Sequence, residues 1–149
     1  MTPALDKAAI AALIPHAGAM CLLDAVLAWD GTTITCVAAS HRAADNPLAV
    51  GGRLDAVCGV EYASQAMAVH GGLANGGRAP AAGYLASLRD VTCAAERLDV
   101  LTGDLLVSAE LMMADDTRVI YRFDLTCDAR PVMSGRAAVV IEAERPGRL

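Results

Sequence analysis

Apolar and polar residues alternate with a period of two over the second half of the chain, which is typical of half-buried β-strands. On the clearest example, one face carries only apolar residues: Val119, Tyr121, Phe123, Leu125 and Cys127. We predict strands over residues 83–94, 105–113, 119–127 and 137–143. Short turns at Asp115-Asp116 and at 128–130 make the last three strands an antiparallel meander.

The sequence of the first half of the chain predicts two helices and a hairpin. Asp6 caps a short helix over residues 7–13, which Pro15 ends because it disfavours helix before it. Apolar segments at 21–29 and 32–39 flank Asp30-Gly31, a dipeptide that favours a type I′ turn between antiparallel strands. A loop over residues 41–52 then leads into a long helix that ends at Gly71-Gly72, followed by a glycine-rich linker to residue 77.

This order of elements predicts an α+β fold, in which a six-stranded antiparallel sheet wraps around one long helix. With 149 residues, the chain has the length of one domain, which we assign to 1–149. Hydrophobic residues make up 55% and charged residues only 19%. We therefore expect a partner subunit to cover part of the surface.

Charge and composition exclude several classes of function. A net charge of -5 without any run of basic residues argues against nucleic-acid binding, whereas an acidic carrier protein needs only a few local arginines. Five cysteines without a Cys-x-x-Cys pair, and three separated histidines, predict buried reduced thiols and no metal site. We find no signal peptide or membrane-length apolar run and expect a cytoplasmic protein without a membrane partner.

Glu61 is the only carboxylate between Asp55 and Asp90, and it lies in an apolar stretch. Burying an unpaired carboxylate costs several kcal/mol, so such a residue needs a reason to be there. An apolar site can equip a carboxylic acid to hand over a proton near neutral pH. A helix face that meets solvent explains the residue equally well on spacing alone.

Two motifs in register resemble those of the 3-hydroxyacyl-(acyl carrier protein) dehydratases. Leu13-Ile-Pro-His-Ala-Gly-Ala-Met-Cys-Leu-Leu-Asp-Ala-Val26 is similar to their Leu-Pro-His-Arg-x-Pro-x-Leu-Leu-Val-Asp-x-Val segment. Gly59-Val-Glu-Tyr-Ala-Ser-Gln65 is similar to their helix motif Leu-Glu-x-x-Ala-Gln. The segments Gly52-Arg-Leu and Gly-Val-Glu-Tyr also resemble a divergent branch associated with aryl-polyene pigment assembly.

The resemblance implies a dimeric hotdog fold and a 3-hydroxyacyl chain on the phosphopantetheine of acyl carrier protein, with no other cofactor. Loss of water would give the trans-2-enoyl thioester. Glu61 then corresponds to the acid that protonates the departing 3-hydroxyl, and Gln65 to the glutamine that helps hold this carboxyl. Amides near Gly52, Arg53 and Leu54 would polarise the thioester carbonyl.

The catalytic base is where this sequence departs from the family. The family's histidine lies in a His-Phe-Pro-Gly loop before the helix, and residues 46–53 contain no histidine. His41, at the beginning of the same loop, is our first candidate and would act across a dimer interface. His70 lies about 13 Å further along the helix axis and is the weaker candidate, while His16 reads as a structural histidine.

Three functions therefore remain open. The protein is an active dehydratase with Glu61 as acid and His41 as base, or a catalytically impaired subunit that binds acyl thioesters or supports an active paralogue. The third function is a hotdog thioesterase, in which one carboxylate activates water and no histidine is needed. The assembly is a homodimer, or a heterodimer with another hotdog dehydratase.

Overall fold

The computed structural model describes residues 3–15, 18–77 and 83–141, and this part of the chain forms two α-helices and six strands. The helices are α1 (Lys7–Leu13) and α2 (Gly59–Ala74). The strands are β1 (Ala25–Trp29), β2 (Thr33–Ala38), β3 (Gly83–Cys93), β4 (Leu105–Ala114), β5 (Arg118–Cys127) and β6 (Arg130–Ile141). They form one antiparallel sheet in the order β1-β2-β4-β5-β6-β3. The predicted sheet and central helix are confirmed.

The long helix lies on one face of the sheet, which we call the inner face. It packs against β2, β4 and β5, whose inner residues are the buried ones of the alternating pattern. Gly59 permits this close approach, because a Cβ atom there would lie 3.0 Å from both Leu125 Cδ2 and Met133 Sδ. The beginning of α2 is therefore pressed against β5 and β6.

Strand β3 is one of the two edges of the sheet and pairs only with β6 among the described strands. All eleven of its residues are exposed. The register with β6 directs Leu85 and Leu88 to the inner face, and Val91 lies beside the Cα of Gly135 on that face. An apolar strip thus remains uncovered on the part of the sheet beyond α2.

Several boundaries differ from the prediction. Helix α2 continues through the predicted end at Gly71-Gly72 to Ala74, so the linker is partly helical, and a 3₁₀ turn (Ala56–Cys58) precedes it. Strand β1 begins at Ala25 rather than at residue 21. Strand β6 begins at Arg130, so the predicted strand over 137–143 overlaps only its second half.

The predicted β1–β2 hairpin is present, but its type I′ turn is wrong. That turn requires positive φ at both central residues, and neither Gly31 nor Thr32 has it. Instead the Asp30 carboxylate accepts hydrogen bonds from the amides of Thr32 and Thr33 at 2.9 and 2.7 Å. These bonds lower the pKa of Asp30 to about 2. The aspartate side chain, rather than the glycine, shapes this turn.

The thiol prediction is correct in part. All five cysteines are free, and Cys21, Cys36 and Cys127 are buried, whereas Cys93 at the end of β3 is exposed. Within the described ranges, no helix combines the length and apolar character that a membrane crossing requires.

Candidate active site

The loops that precede α2 and β4 meet at one end of the sheet, around the beginning of α2. The chain just before the helix is bound to the segment after β3, because Ala56 N donates to Glu96 O at 2.9 Å and Leu98 N donates to Leu54 O at 2.8 Å. Since Gly59 packs on Met133, the beginning of α2 lies at the end of the sheet where β3 finishes.

Glu61 lies in the first turn of α2 and is half-buried. A carboxylate in this position is favoured by the partial positive charge of a helix N-terminus. Val60, Ser64 and Ala68 are also half-buried, and their spacing of four places them on one helix face. Glu61 therefore borders a stripe of the helix that the described part of the chain leaves incompletely covered.

Gln65, one turn after Glu61, is fully buried and holds the middle of the first sequence motif. Its side-chain oxygen accepts a hydrogen bond from Leu22 N at 2.9 Å, and its amide nitrogen donates to Met20 O at 2.7 Å. Both bonds join the helix to residues more than 40 positions earlier in the chain. Gln65 thus fixes the backbone beside the turn of helix that carries Glu61.

A directed chain of hydrogen bonds supports the same segment from the other side. Ser40 Oγ donates to Leu22 O at 2.8 Å, so its single proton is used and Tyr62 OH must donate to Ser40 Oγ at 2.7 Å. Tyr62 OH in turn accepts from Asn46 Nδ2 at 3.2 Å, and burial raises the pKa of Tyr62. The chain keeps the loop after β2 against the helix.

His41, the predicted base, is 2% exposed and held in one orientation. Its Nε2 lies 3.1 Å from Leu101 O and 2.9 Å from Gly103 O, and because carbonyl oxygens only accept, Nε2 carries the proton. Nδ1 is buried without a hydrogen-bond partner among the residues that the structure describes. Burial, followed by the adjacent Arg42 charge, lowers the pKa of His41.

A cavity of about 430 Å³ lies beside His41. Its lining includes Asn46, the Gly51-Gly52 turn and Asp99, but Glu61 is not part of it. Both turn glycines have positive φ, +59° and +77°, which suits glycine in a two-residue turn. Within one chain, therefore, the cavity brings His41 and Gly52 together and leaves Glu61 outside.

The amides predicted to polarise the substrate carbonyl are mostly occupied. Arg53 N donates to Val50 O at 3.0 Å, and Leu54 N donates to Asp99 Oδ1 at 2.9 Å. The Arg53 side chain is bound to Asp55 at 2.5 Å, and the Leu54 side chain is fully buried. In this conformation neither amide is available to a thioester, and only the expectation for Gly52 remains.

Of the two other histidines, one has a structural role and the other lies outside the described residues. His70 is 1% exposed, and its Nε2 donates to Asp30 O at 2.9 Å. Its Nδ1 then accepts a hydrogen bond from Tyr121 OH at 2.7 Å. Both ring nitrogens are used within the core, away from the beginning of the helix. His16 is not among the described residues.

Sequence reasoning missed Ser40, Asn46 and Tyr62, which position the loop beside the helix. One signal was present, because a tyrosine inside an apolar helix needs a hydrogen-bond partner for its hydroxyl. The sequence does not indicate which polar residues, 22 and 16 positions earlier, supply those partners.

Comparison with known families shows to which family the chain belongs. The sequence profile of the ApeP-like family, described as ApeP dehydratase, matches residues 8–146. The chain belongs to the ApeP-like dehydratase family. No curated protein sequence matches this ApeP-like chain.

Solved structures similar to this ApeP-like protein share its hotdog fold at low sequence identity. The dehydratase heterocomplex ApeI:P from Xenorhabdus doucetiae matches with a TM-score of 0.79 and 19% identity, over 97% of this chain and 93% of that chain. Zebra fish thioesterase superfamily member 2 matches with a TM-score of 0.65 and 16% identity, over 91% and 95% of the two chains. A mutant thioesterase from Pseudomonas aeruginosa gives 0.58 and 13%, over 78% and 79%. At these identities the likeness shows the fold alone.

Proposed function

We propose that this protein removes water from 3-hydroxyacyl thioesters on acyl carrier protein and releases trans-2-enoyl thioesters for fatty-acid or polyene-type biosynthesis. The observation that carries this proposal is Glu61, a half-buried carboxyl group in the first turn of the central helix of an ApeP-like dehydratase. A base removes the proton from C2, the C2–C3 double bond forms, and the 3-hydroxyl leaves. Glu61 supplies the proton that turns the leaving hydroxide into water.

We assign the base to His41. Its protonated Nε2 is bound to two carbonyl oxygens, which leaves Nδ1 as the proton acceptor. The lowered pKa keeps the imidazole neutral near pH 7, the state in which it can take a proton. In this proposal the substrate enters the cavity that His41 lines together with Gly52, and a small shift of the ring or loop exposes the buried Nδ1 to it. The Gly52 amide is the donor that we assign to the thioester carbonyl, and Gln65 keeps the adjoining backbone in place.

Assembly completes the site in this proposal. Glu61 borders the half-covered stripe of α2, and the inner side of β3 carries an uncovered apolar strip. A second hotdog subunit joined along β3 would cover both and bring one subunit's His41 to the other's Glu61. The partner is a second copy of this chain or another hotdog dehydratase. One solved structure with this fold is a dehydratase heterocomplex, which is compatible with either partner.

The test uses purified protein with 3-hydroxyacyl and 2-enoyl carrier thioesters, alone and mixed with a co-encoded dehydratase. We expect enoyl product, lost by about 100-fold or more in Glu61→Gln, and a comparable loss in His41→Asn. Glu96→Gln, which changes an exposed carboxylate, is the matched control and should retain activity.

Other outcomes select the alternatives. Undiminished dehydration by Glu61→Gln would refute the assignment of the acid. Release of free acid and thiol would identify a thioesterase. Turnover that appears only in the mixture, and survives both substitutions in this chain, would identify a subunit that supports an active paralogue.

A further inference from the structure

Strand register assembles a row of arginines on the outer face of the sheet. Arg122 on β5 pairs with Arg136 on β6, and Arg136 pairs with Arg89 on β3. All three residues are exposed, and their sequence neighbours on β5 and β6 are buried. Cross-strand partners lie about 5 Å apart on one face. We call Arg122, Arg136 and Arg89 the arginine row.

Among the described residues, the paired carboxylate lies only at the Arg122 end of the row. Glu110 lies at one end, 3.9 Å from Arg122, and Asp124 lies on the same face two residues further along β5. Arg136 and Arg89 have no carboxylate within 4.0 Å among the described residues. The neighbouring positions are Ser134 and Thr92, whose hydroxyls bond to each other at 2.9 Å.

Four other basic residues of the described chain are paired with aspartates, whereas Arg118 and Arg130, like Arg89 and Arg136, have no carboxylate within 4.0 Å among the described residues. These pairs are Lys7–Asp24, Arg42–Asp104, Arg53–Asp55 and Arg97–Asp99. Like charges directly opposite each other on neighbouring strands destabilise a sheet. The row therefore has no evident role in the stability of the isolated subunit, and an anionic partner would relieve its repulsion.

The position of the row relates it to the candidate site. Arg89 lies four residues before the end of β3 at Cys93, which is about 13 Å along an extended strand. The chain beyond β3 binds the segment that leads into α2, through Ala56 N and Glu96 O. A partner on the row thus lies near the end of the sheet around which an attached group could reach Glu61.

We propose that the arginine row is the docking surface for the acidic face of the acyl carrier protein, whose prosthetic arm passes around the end of β3 to Glu61. This inference rests on the proposed function. Salt screens charges beyond about 8 Å, so a compact acidic domain senses the local row and not the net charge of -5. A nucleic acid or an anionic membrane requires a broader basic surface than three arginines.

The test compares two forms of the same substrate: the 3-hydroxyacyl group on the carrier protein and on N-acetylcysteamine. For Arg89→Glu/Arg136→Glu we expect KM for the carrier-bound form to rise about tenfold, with weaker salt dependence than wild type. Turnover of the short thioester should change less than about twofold, since the row does not touch the reacting atoms. Arg118→Glu is the matched control, because it reverses an equal charge on the same face, four residues further from this end of the sheet.

Binding is measured separately, by fluorescence anisotropy of labelled holo-carrier protein at low and high salt. If neither substrate form is dehydrated, the proposed function fails, and weaker binding by the double variant still supports the docking surface. The inference is overturned if the double variant binds like wild type or if Arg118→Glu weakens binding equally. Saturable binding of duplex DNA or anionic vesicles at the row, with carrier binding unaffected, would also overturn it.

Discussion

Replacing Gln65 by glutamate tests the hydrogen bonds that hold the backbone beside Glu61. The introduced carboxyl can still accept from Leu22 N, but when ionised it sets an oxygen against Met20 O, where the amide nitrogen now donates at 2.7 Å. When protonated, the carboxyl can both accept and donate, so it reproduces the two bonds of the amide. Folding should therefore bind a proton, and the pKa of the introduced group should rise in the folded state.

The expected loss of stability in Gln65→Glu follows from the free energy of keeping the introduced carboxyl protonated in a fully buried position. Holding a carboxyl with a usual pKa of about 4.3 protonated at pH 7 costs about 3.7 kcal/mol, at about 1.36 kcal/mol per unit. Because the pKa of the introduced carboxyl is raised in the folded state, the loss of unfolding free energy relative to wild type is smallest below pH 4.3 and grows as pH rises. Between pH 5.5 and pH 7.0 it should increase by about 2 kcal/mol.

Urea unfolding at fixed protein concentration measures this difference at each pH. Gln65→Leu is the control, since it leaves the buried Leu22 amide unpaired and should lose about 2–4 kcal/mol without pH dependence. Equal losses for Gln65→Glu at pH 5.5 and pH 7.0 would refute the donation from Gln65 to Met20.

Three further measurements test other parts of the structure. Burial lowers the pKa of His41 from 6.5, so the unfolded chain binds the proton more readily than the folded one. The free energy of unfolding should therefore fall as pH drops through 6.5. In His41→Asn, the contribution of this histidine to the pH dependence between pH 7.5 and 5.5 should disappear. Gly59→Val should lose about 1–3 kcal/mol in thermal melts, since the added carbons meet Leu125 and Met133, whereas Gly31→Val, with nothing within 4 Å of its Cβ, should lose far less. Tyr121→Phe removes the donor to buried His70 and should lose about 1–2 kcal/mol, while Tyr84→Phe at an exposed position should change stability by less than about 0.5 kcal/mol.

The strands could be predicted because one buried face imposes a period of two on the sequence. The end of α2 could not, because Gly72 is buried in a helix that packing sustains beyond its glycine pair. The turn type failed for a local reason, since the Asp30 carboxylate outcompetes the backbone preference of the next residue. Composition and sequence spacing locate candidate elements, but local hydrogen bonds and packing decide their boundaries.

The candidate site was predictable only where a motif carried it. Glu61 and Gln65 are separated by one helical turn, so their common location follows from sequence spacing. The contacts of Ser40 with Tyr62, and the alignment of three arginines on three strands, depend on pairings between distant segments. The arginine row is not visible in the sequence as a run of basic residues, because the register of three strands brings its members together.

The exposed edge of β3 affects the solubility of a subunit that has no partner. An unpaired strand is a template for further strands, and residues 83–88 form six uncharged, proline-free positions of the kind that stacks into fibrils. Arg89 and the backbone irregularity around Asp90, where φ is +54°, interrupt this run before the strand ends. In the assembly proposed above, subunits left without a partner would be the aggregating fraction, so association along β3 would protect solubility as well as activity.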